Sequence, residues 1–213
     1  MDFVPALPVI VQFAIATFVI AITPGPDMTL FVGRALSQGK KAGFACMSGA
    51  MTGILIHTIL VSLGLSALLV ASPSAFLILK ICGAAYLVWL AWQALRHGSA
   101  FDPDVKATRK SSFARNWAIG LGINLLNPKI ILFFMTFLPQ FVSANDPHAP
   151  AKLFFLGFLF IPLCLPVIIP MVLAADRFAS FLRKSPRVMR MVDYLFAGVF
   201  SAFALKILTT QAR

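Results

Sequence analysis

The chain has 213 residues, of which 60% are hydrophobic and 12% charged, and its mean hydropathy is +0.90. Soluble globular chains run about 45–50% apolar and about 25% charged, so this composition cannot clothe a water-facing domain, and it excludes intrinsic disorder as well. The formal net charge of +11 suggests nucleic acid until the cations are placed. Thirteen of the eighteen Lys and Arg fall in three clusters between long apolar runs: Arg34, Lys40, Lys41; then Arg96, Lys106, Arg109, Lys110, Arg115; then Arg177, Arg183, Lys184, Arg187, Arg190. No basic stripe with interleaved aromatics is present, so the clusters read as loops against anionic lipid rather than as a nucleic-acid surface.

A membrane span needs about 20 predominantly apolar residues, and six stretches qualify. The first covers 4–33 and is broken at Thr23-Pro24-Gly25-Pro26-Asp27. It carries no Lys or Arg before Arg34, whereas a cleaved signal peptide opens with a positive region, so it is expected to stay as a span. The second covers 42–70, and Ser72-Pro73-Ser74 turns the chain into a third that ends near Leu95. The fourth covers 116–141 and is interrupted at Asn127-Pro128-Lys129; the fifth and sixth cover 153–175 and 188–208. The expected fold is therefore an all-α integral membrane protein. Its first three-span unit covers 1–96, a basic cytoplasmic linker 97–115, and a second three-span unit 116–213.

The basic clusters follow spans one, three and five, which assigns those loops to the cytoplasm and both termini to the opposite, periplasmic side. Trp92 and Trp117 fall at the cytoplasmic ends of spans three and four, where an aromatic belt is expected. Aligning Pro26 with Pro128 superposes the two breaks, and Gly83-Ala84-Ala85-Tyr86 is loosely echoed by Ala197-Gly198-Val199-Phe200. Three spans per half obliges the second half to enter from the opposite face. That is the inverted-repeat arrangement of many secondary transporters, where matching breaks mark the binding site.

Pro24 and Pro26 lack N–H donors, and Gly25 lets the backbone unwind. Asp27 then reads in two ways: as a cap at a kink, or as a substrate or proton site, since ionisable groups inside spans are costly. Asn124, Asn127 and Lys129 form a second constellation around Pro128. Asn127 can offer its amide to the exposed backbone, and a buried Lys129 ammonium wants an anion: Asp27, a substrate carboxylate, or each in turn. Straight-helix arithmetic sets Asp27 about 10 Å from Arg34 and Lys129 about 20 Å from the cytoplasmic end of span four. A zwitterion between them suits that offset better than a tight salt bridge.

Pro162, Pro166 and Pro170 recur every four residues in span five, so this span is expected to bend or unwind locally, as a hinge, as a lining of the path, or as packing shape. Gly49 and Gly53 form a GxxxG that permits close helix approach within the bundle or across a homodimer. His57 lies mid-span, where it can relay protons, contact substrate, or bond a neighbouring carbonyl. Cys46, Cys82 and Cys164 stand alone in apolar stretches, with no metal-ligand or redox spacing. Neither a metal nor another cofactor is expected.

The segment 23–27, followed by Gly33 and Gln38-Gly39-Lys40-Lys41-Ala42-Gly43, resembles the first-span signature of the LysE/RhtB family of amino-acid exporters. Asn124-Leu125-Leu126-Asn127-Pro128-Lys129 and Phe137-Leu138-Pro139-Gln140-Phe141 resemble its fourth-span region. The resemblance runs over nearly the whole chain. It implies a bacterial inner-membrane carrier that exports amino acids or close derivatives. Export by alternating access, driven by the proton gradient or membrane potential, is the expectation; coupling to protons is favoured because voltage alone does not move a zwitterion of zero net charge. A passive channel and a membrane-embedded redox protein using Asp27, His57 and the cysteines are the alternatives.

Overall fold

A computed structural model describes residues 3–72, 111–143 and 146–210, with single helical positions at 78, 81, 85, 88, 89, 92 and 96. Most of the expected third span, residues 97–110 of the linker, and most of the Gly83–Tyr86 motif lie outside the described residues. Those described residues form helices and turns, with no strand.

The first break divides its span into α1 (Leu7–Ile22) and α2 (Pro26–Gln38), bent by 50°. Thr23 closes α1 by donating both its N–H and its hydroxyl to the Val19 carbonyl, at 3.1 and 2.7 Å. Pro26 opens α2 at its first position, where the missing donor costs nothing. Gly39 ends α2 at φ 94°, a left-handed conformation that favours glycine. The chain then starts α3 (Lys40–Ala71) at once.

The second break divides α4 (Phe113–Leu125) from α5 (Pro128–Leu132), and the pair Phe113–Leu125 and Pro128–Phe141 bends by 52°. Ser112 caps α4 by accepting the Arg115 N–H at 3.2 Å. Beyond α5 the coil widens into a π-helical turn (Phe133–Phe137) and then tightens into a 3₁₀ turn (Leu138–Phe141). The wide turn directs Phe133, Phe134 and Phe137 into the core. There Phe133 meets Phe13 of α1 at 6.0 Å between ring centroids.

The remaining helices are α6 (Ala149–Leu173), α7 (Ala175–Lys184) and α8 (Pro186–Thr210). Phe160 of α6 completes the aromatic core, 5.1 Å from Phe133 and 5.3 Å from Phe134. Two helical stretches, Lys40–Gly64 and Ala149–Leu173, are long and apolar enough to cross a bilayer, and each bent pair qualifies as one more span. The apolar surface accordingly carries exposed Leu7, Val11, Ile15 and Phe18 along one side of α1.

Helices α3 and α4 cross in close contact. A Cβ placed on Gly49 would lie 1.9 Å from the Trp117 carbonyl oxygen, and one on Gly120 would lie 2.0 Å from that of Cys46. Small residues on both helices thus bring the two backbones into contact. The GxxxG is used inside the chain, against α4.

Span five departs from expectation in one respect. Residues 149–173 form one uninterrupted helix that contains all three prolines, so no local unwinding occurs. A helix held by neighbours on one side tolerates missing N–H donors on the other, and Pro162, Pro166 and Pro170 are all exposed.

Candidate functional site

The two breaks meet. Asp27 stands in the first turn of α2 and Lys129 in the matching position of α5, each one residue after the proline that opens its half-helix. Each reaches across to the end of the other span's first half. Asn124, near the end of α4, donates its Nδ2 to Asp27 Oδ2 at 2.8 Å. Lys129 Nζ donates to the carbonyls of Ile20 and Thr23, at 3.2 and 2.8 Å, around the end of α1. These carbonyls would otherwise lack partners, and the negative end of the α1 dipole favours a cation there.

Lys129 and Asp27 make no ion pair within 4.0 Å. The two bends and the long lysine chain bring Nζ to 3.0 Å from where a Gly25 side chain would begin, two residues before Asp27. Glycine leaves that space for the ammonium. Pro24 and Pro26 complete the break on either side of it.

Asn127 caps α5, but with its carbonyl oxygen rather than its amide: Oδ1 accepts the Lys129 N–H at 3.1 Å. Only an acceptor can satisfy a free helix N–H, so the expected direction is reversed. The Asn127 amide turns instead toward Asp27. His57 of α3 is buried and stacks on Phe134 at 5.8 Å. Its Nε2 has no hydrogen-bond partner, and neither do Asp27 Oδ1, Asn124 Oδ1 and Asn127 Nδ2, all buried atoms.

A cavity opens at the crossing. Asp27, Asn124 and Lys129 supply its polar lining, and α1, α2, α3, α5 and α6 supply an apolar wall that includes Ile20, Phe31, Ile54 and Phe160. Its volume is about 50 Å³. One water needs about 10–15 Å³ on this measure, so the cavity has room for a few small groups. The apolar wall with few convergent polar groups is the usual character of a small-molecule site.

Several residues of the site escape a reading of the sequence. Cys164, Ile168 and Met171 line the cavity from α6, on the opposite side of that helix from the three prolines, which do not line it. Gly53 backs Asn124, whose Oδ1 lies 2.4 Å from where a Gly53 side chain would begin. The spacing Gly49, Gly53, His57 is the signal that could have found it, since four-residue steps share one helical face. Among the described residues no group of three or more His, Cys, Asp or Glu gathers to hold a metal.

Known proteins are similar in sequence to most of this chain. Residues 18–211 match the model of the LysE type translocators. The homoserine/homoserine lactone efflux protein of Salmonella typhimurium is 31% identical over 188 residues, covering 88% of this chain and 90% of that protein. Its Salmonella typhi counterpart is equally similar, with the same identity and coverage. A membrane protein of Vibrio cholerae serotype O1, which carries no assigned function in its name, is 29% identical over 200 residues, or 94% and 96% of the two chains. No solved structure matches. With apolar helices that can cross a bilayer and a family match that includes both breaks, the chain is a membrane protein that belongs to the LysE type translocator family.

Proposed function

We propose that this translocator exports small amino acids or close derivatives from the cytoplasm by alternating access around the cavity between the two breaks. The observation that carries the reading is the crossing of two broken helices over a small apolar cavity with one carboxylate, one carboxamide and one ammonium in its wall. Half-helix ends at mid-membrane are the recurring substrate site of secondary transporters. The efflux proteins that the chain resembles, named for homoserine and its lactone, support an amino-acid-like substrate.

An inverted repeat of three and three spans is supported by the breaks themselves. Pro26 and Pro128 each open a half-helix, and the bends of 50° and 52° nearly coincide. The basic clusters support an inner-membrane carrier with both termini on the periplasmic side. Protons drive the cycle in this reading. Asp27 holds the substrate ammonium when ionised and a proton on the return. One inward proton supplies about 2.3 kcal/mol per 100 mV, which a neutral zwitterion cannot draw from the potential.

The test is export in an exporter-depleted bacterium, with amino acids in medium and cytoplasm quantified by mass spectrometry and Asp27→Asn at matched expression as control. A compound that leaves faster only with the wild type supports the reading. Efflux down its gradient without proton movement would instead make the protein a channel, and an Asp27→Asn carrier that keeps proton-coupled export would remove Asp27 as the proton site.

A further inference from the structure

The cavity wall is uneven in how far its parts can move. Its volume of about 50 Å³ holds roughly four water-sized groups, so a bulky side chain enters only where the wall gives way. Ile20, Ile54, Ile130 and Ile168 line it from α1, α3, α5 and α6, and all four are buried. A β-branched side chain in a helix has one strongly preferred χ1 rotamer, so these parts of the wall are stiff. Phe160 is held against Phe133 and Phe134, at 5.1 and 5.3 Å. Lys129 is tied to two carbonyls, and Asn124 to Asp27. Three lining residues differ in kind: Met28 of α2, Met51 of α3 and Met171 of α6. Each has an unbranched chain with three rotatable bonds and a polarizable sulfur. They stand on three different helices, and each shares a helix face with another lining residue three positions away, Phe31, Ile54 and Ile168 respectively.

We infer that Met28, Met51 and Met171 form an adaptable subsite for the substrate's side chain, and that they give this translocator a range of substrates rather than one. A rigid apolar pocket resolves a single methylene by about 10–200-fold. A pocket whose moving parts are thioether chains swings them aside for a longer side chain and back against a shorter one. Neither a clash nor a void then discriminates strongly, which is how methionine-rich surfaces come to accept many partners. The class taken is neutral amino acids with unbranched side chains, from a methyl to a butyl group. The inference rests on the cavity being the substrate site, as proposed above, and adds which of its residues set the choice among substrates.

The test is calorimetric binding to the purified full chain in detergent, with a series that grows by one methylene: alanine, α-aminobutyrate, norvaline and norleucine. The wild type should bind all four within about tenfold of one another. Isoleucine nearly conserves the volume of methionine but adds a stiff branch at Cβ. The triple variant Met28→Ile, Met51→Ile, Met171→Ile should keep its best-fitting ligand within about threefold of wild type and lose at least about tenfold for each further methylene. Met51→Ile alone, at a half-buried position, should narrow the range in the same direction and serves if the triple variant does not fold. Wild-type affinities that already change about tenfold or more at each methylene, or a range equally wide in the folded methionine variants, would overturn the inference. So would a wild type that binds none of the four. Asp27→Asn separates this failure from that of the site. A steep wild-type series that Asp27→Asn abolishes leaves the cavity as the substrate site and removes only the adaptable subsite. Binding that Asp27→Asn and the methionine variants all leave unchanged removes the cavity as the site, and the inference with it.

Discussion

Gly49→Ala gives the sharpest test of how this bundle holds its site. The added Cβ would lie 1.9 Å from the Trp117 carbonyl oxygen, against an ordinary contact of 3.4 Å or more, so α3 and α4 must separate by about 1.5 Å. Both neighbours are backbone, so no side-chain rotation relieves the clash. The 2.8 Å bond between Asn124 and Asp27 has slack of only a few tenths of an ångström before it leaves the hydrogen-bonding range. Overpacking costs about 1–3 kcal/mol and a lost bond to a charged group about 1.5–3 kcal/mol, for a total of about 3–5 kcal/mol. Thermal unfolding in detergent reads this as a drop on the order of 10 °C, at about 2–4 °C per kcal/mol for a chain of this length. Gly122→Ala on α4 is the control, since its Cβ would meet nothing within 4 Å; it should gain up to about 1 kcal/mol of helix propensity. Equal unfolding temperatures for Gly49→Ala and the wild type would refute the α3–α4 contact as described.

Lys129→Met keeps the chain length but strips the Ile20 and Thr23 carbonyls of their donor, and should destabilise by about 2 kcal/mol after the relief of ammonium desolvation; an unchanged unfolding temperature would reject Lys129 as the cap of α1. Ser112→Ala removes the α4 cap and should cost about 1 kcal/mol in the same assay. Asp146, in the loop before α6, accepts from Lys152 at 2.5 Å and from the His148 N–H at 2.9 Å, and the Lys152 hydrogen bond holds its carboxyl below the usual range. Its contribution is therefore present above the unfolded value of about 3.9 and lost as pH falls through the folded one. As a surface pair it is worth less than about 1 kcal/mol. Asp146→Asn should be slightly less stable at pH 7, and a gap from wild type that widens below pH 4 would contradict the pairing.

Both breaks were legible because proline chemistry is local. A residue that cannot donate ends a helix wherever it stands among unfavourable neighbours, as Pro26 and Pro128 do. The same rule overstates the local unwinding at Pro162, Pro166 and Pro170. Each of these lies on the outside of a helix whose inner side buries Leu156, Phe160 and Cys164, and that burial holds the helix despite the lost donors. The residues that could carry charge were also visible, since Asp27 and Lys129 are conspicuous in apolar surroundings. Their partners were not. Lys129 ends on backbone carbonyls, which every residue carries and no sequence pattern marks. Asn127 reversed its expected polarity because donor and acceptor share one side chain, and only the neighbouring helix end selects between them. Residues 176–187 were read as the loop between spans five and six, yet 175–184 form α7, with Ala175, Ala179 and Leu182 buried at helical spacing.

The crossed reach of Asp27 and Lys129 has a consequence for how a molecule lies while bound. The two spans present the same outline, but what receives each charge is opposite in kind. The end of α1 offers bare carbonyls and takes a cation, whereas the end of α4 offers a carboxamide and takes an anion. Exchanging the two charges would therefore not restore the arrangement, because a carboxylate at the α1 end would meet only oxygen. The two breaks are alike in bend and unlike in polarity. In the alternating-access cycle proposed above, a molecule held between the two ends would keep one head and one tail across the bundle, the same whichever side the cavity opens to.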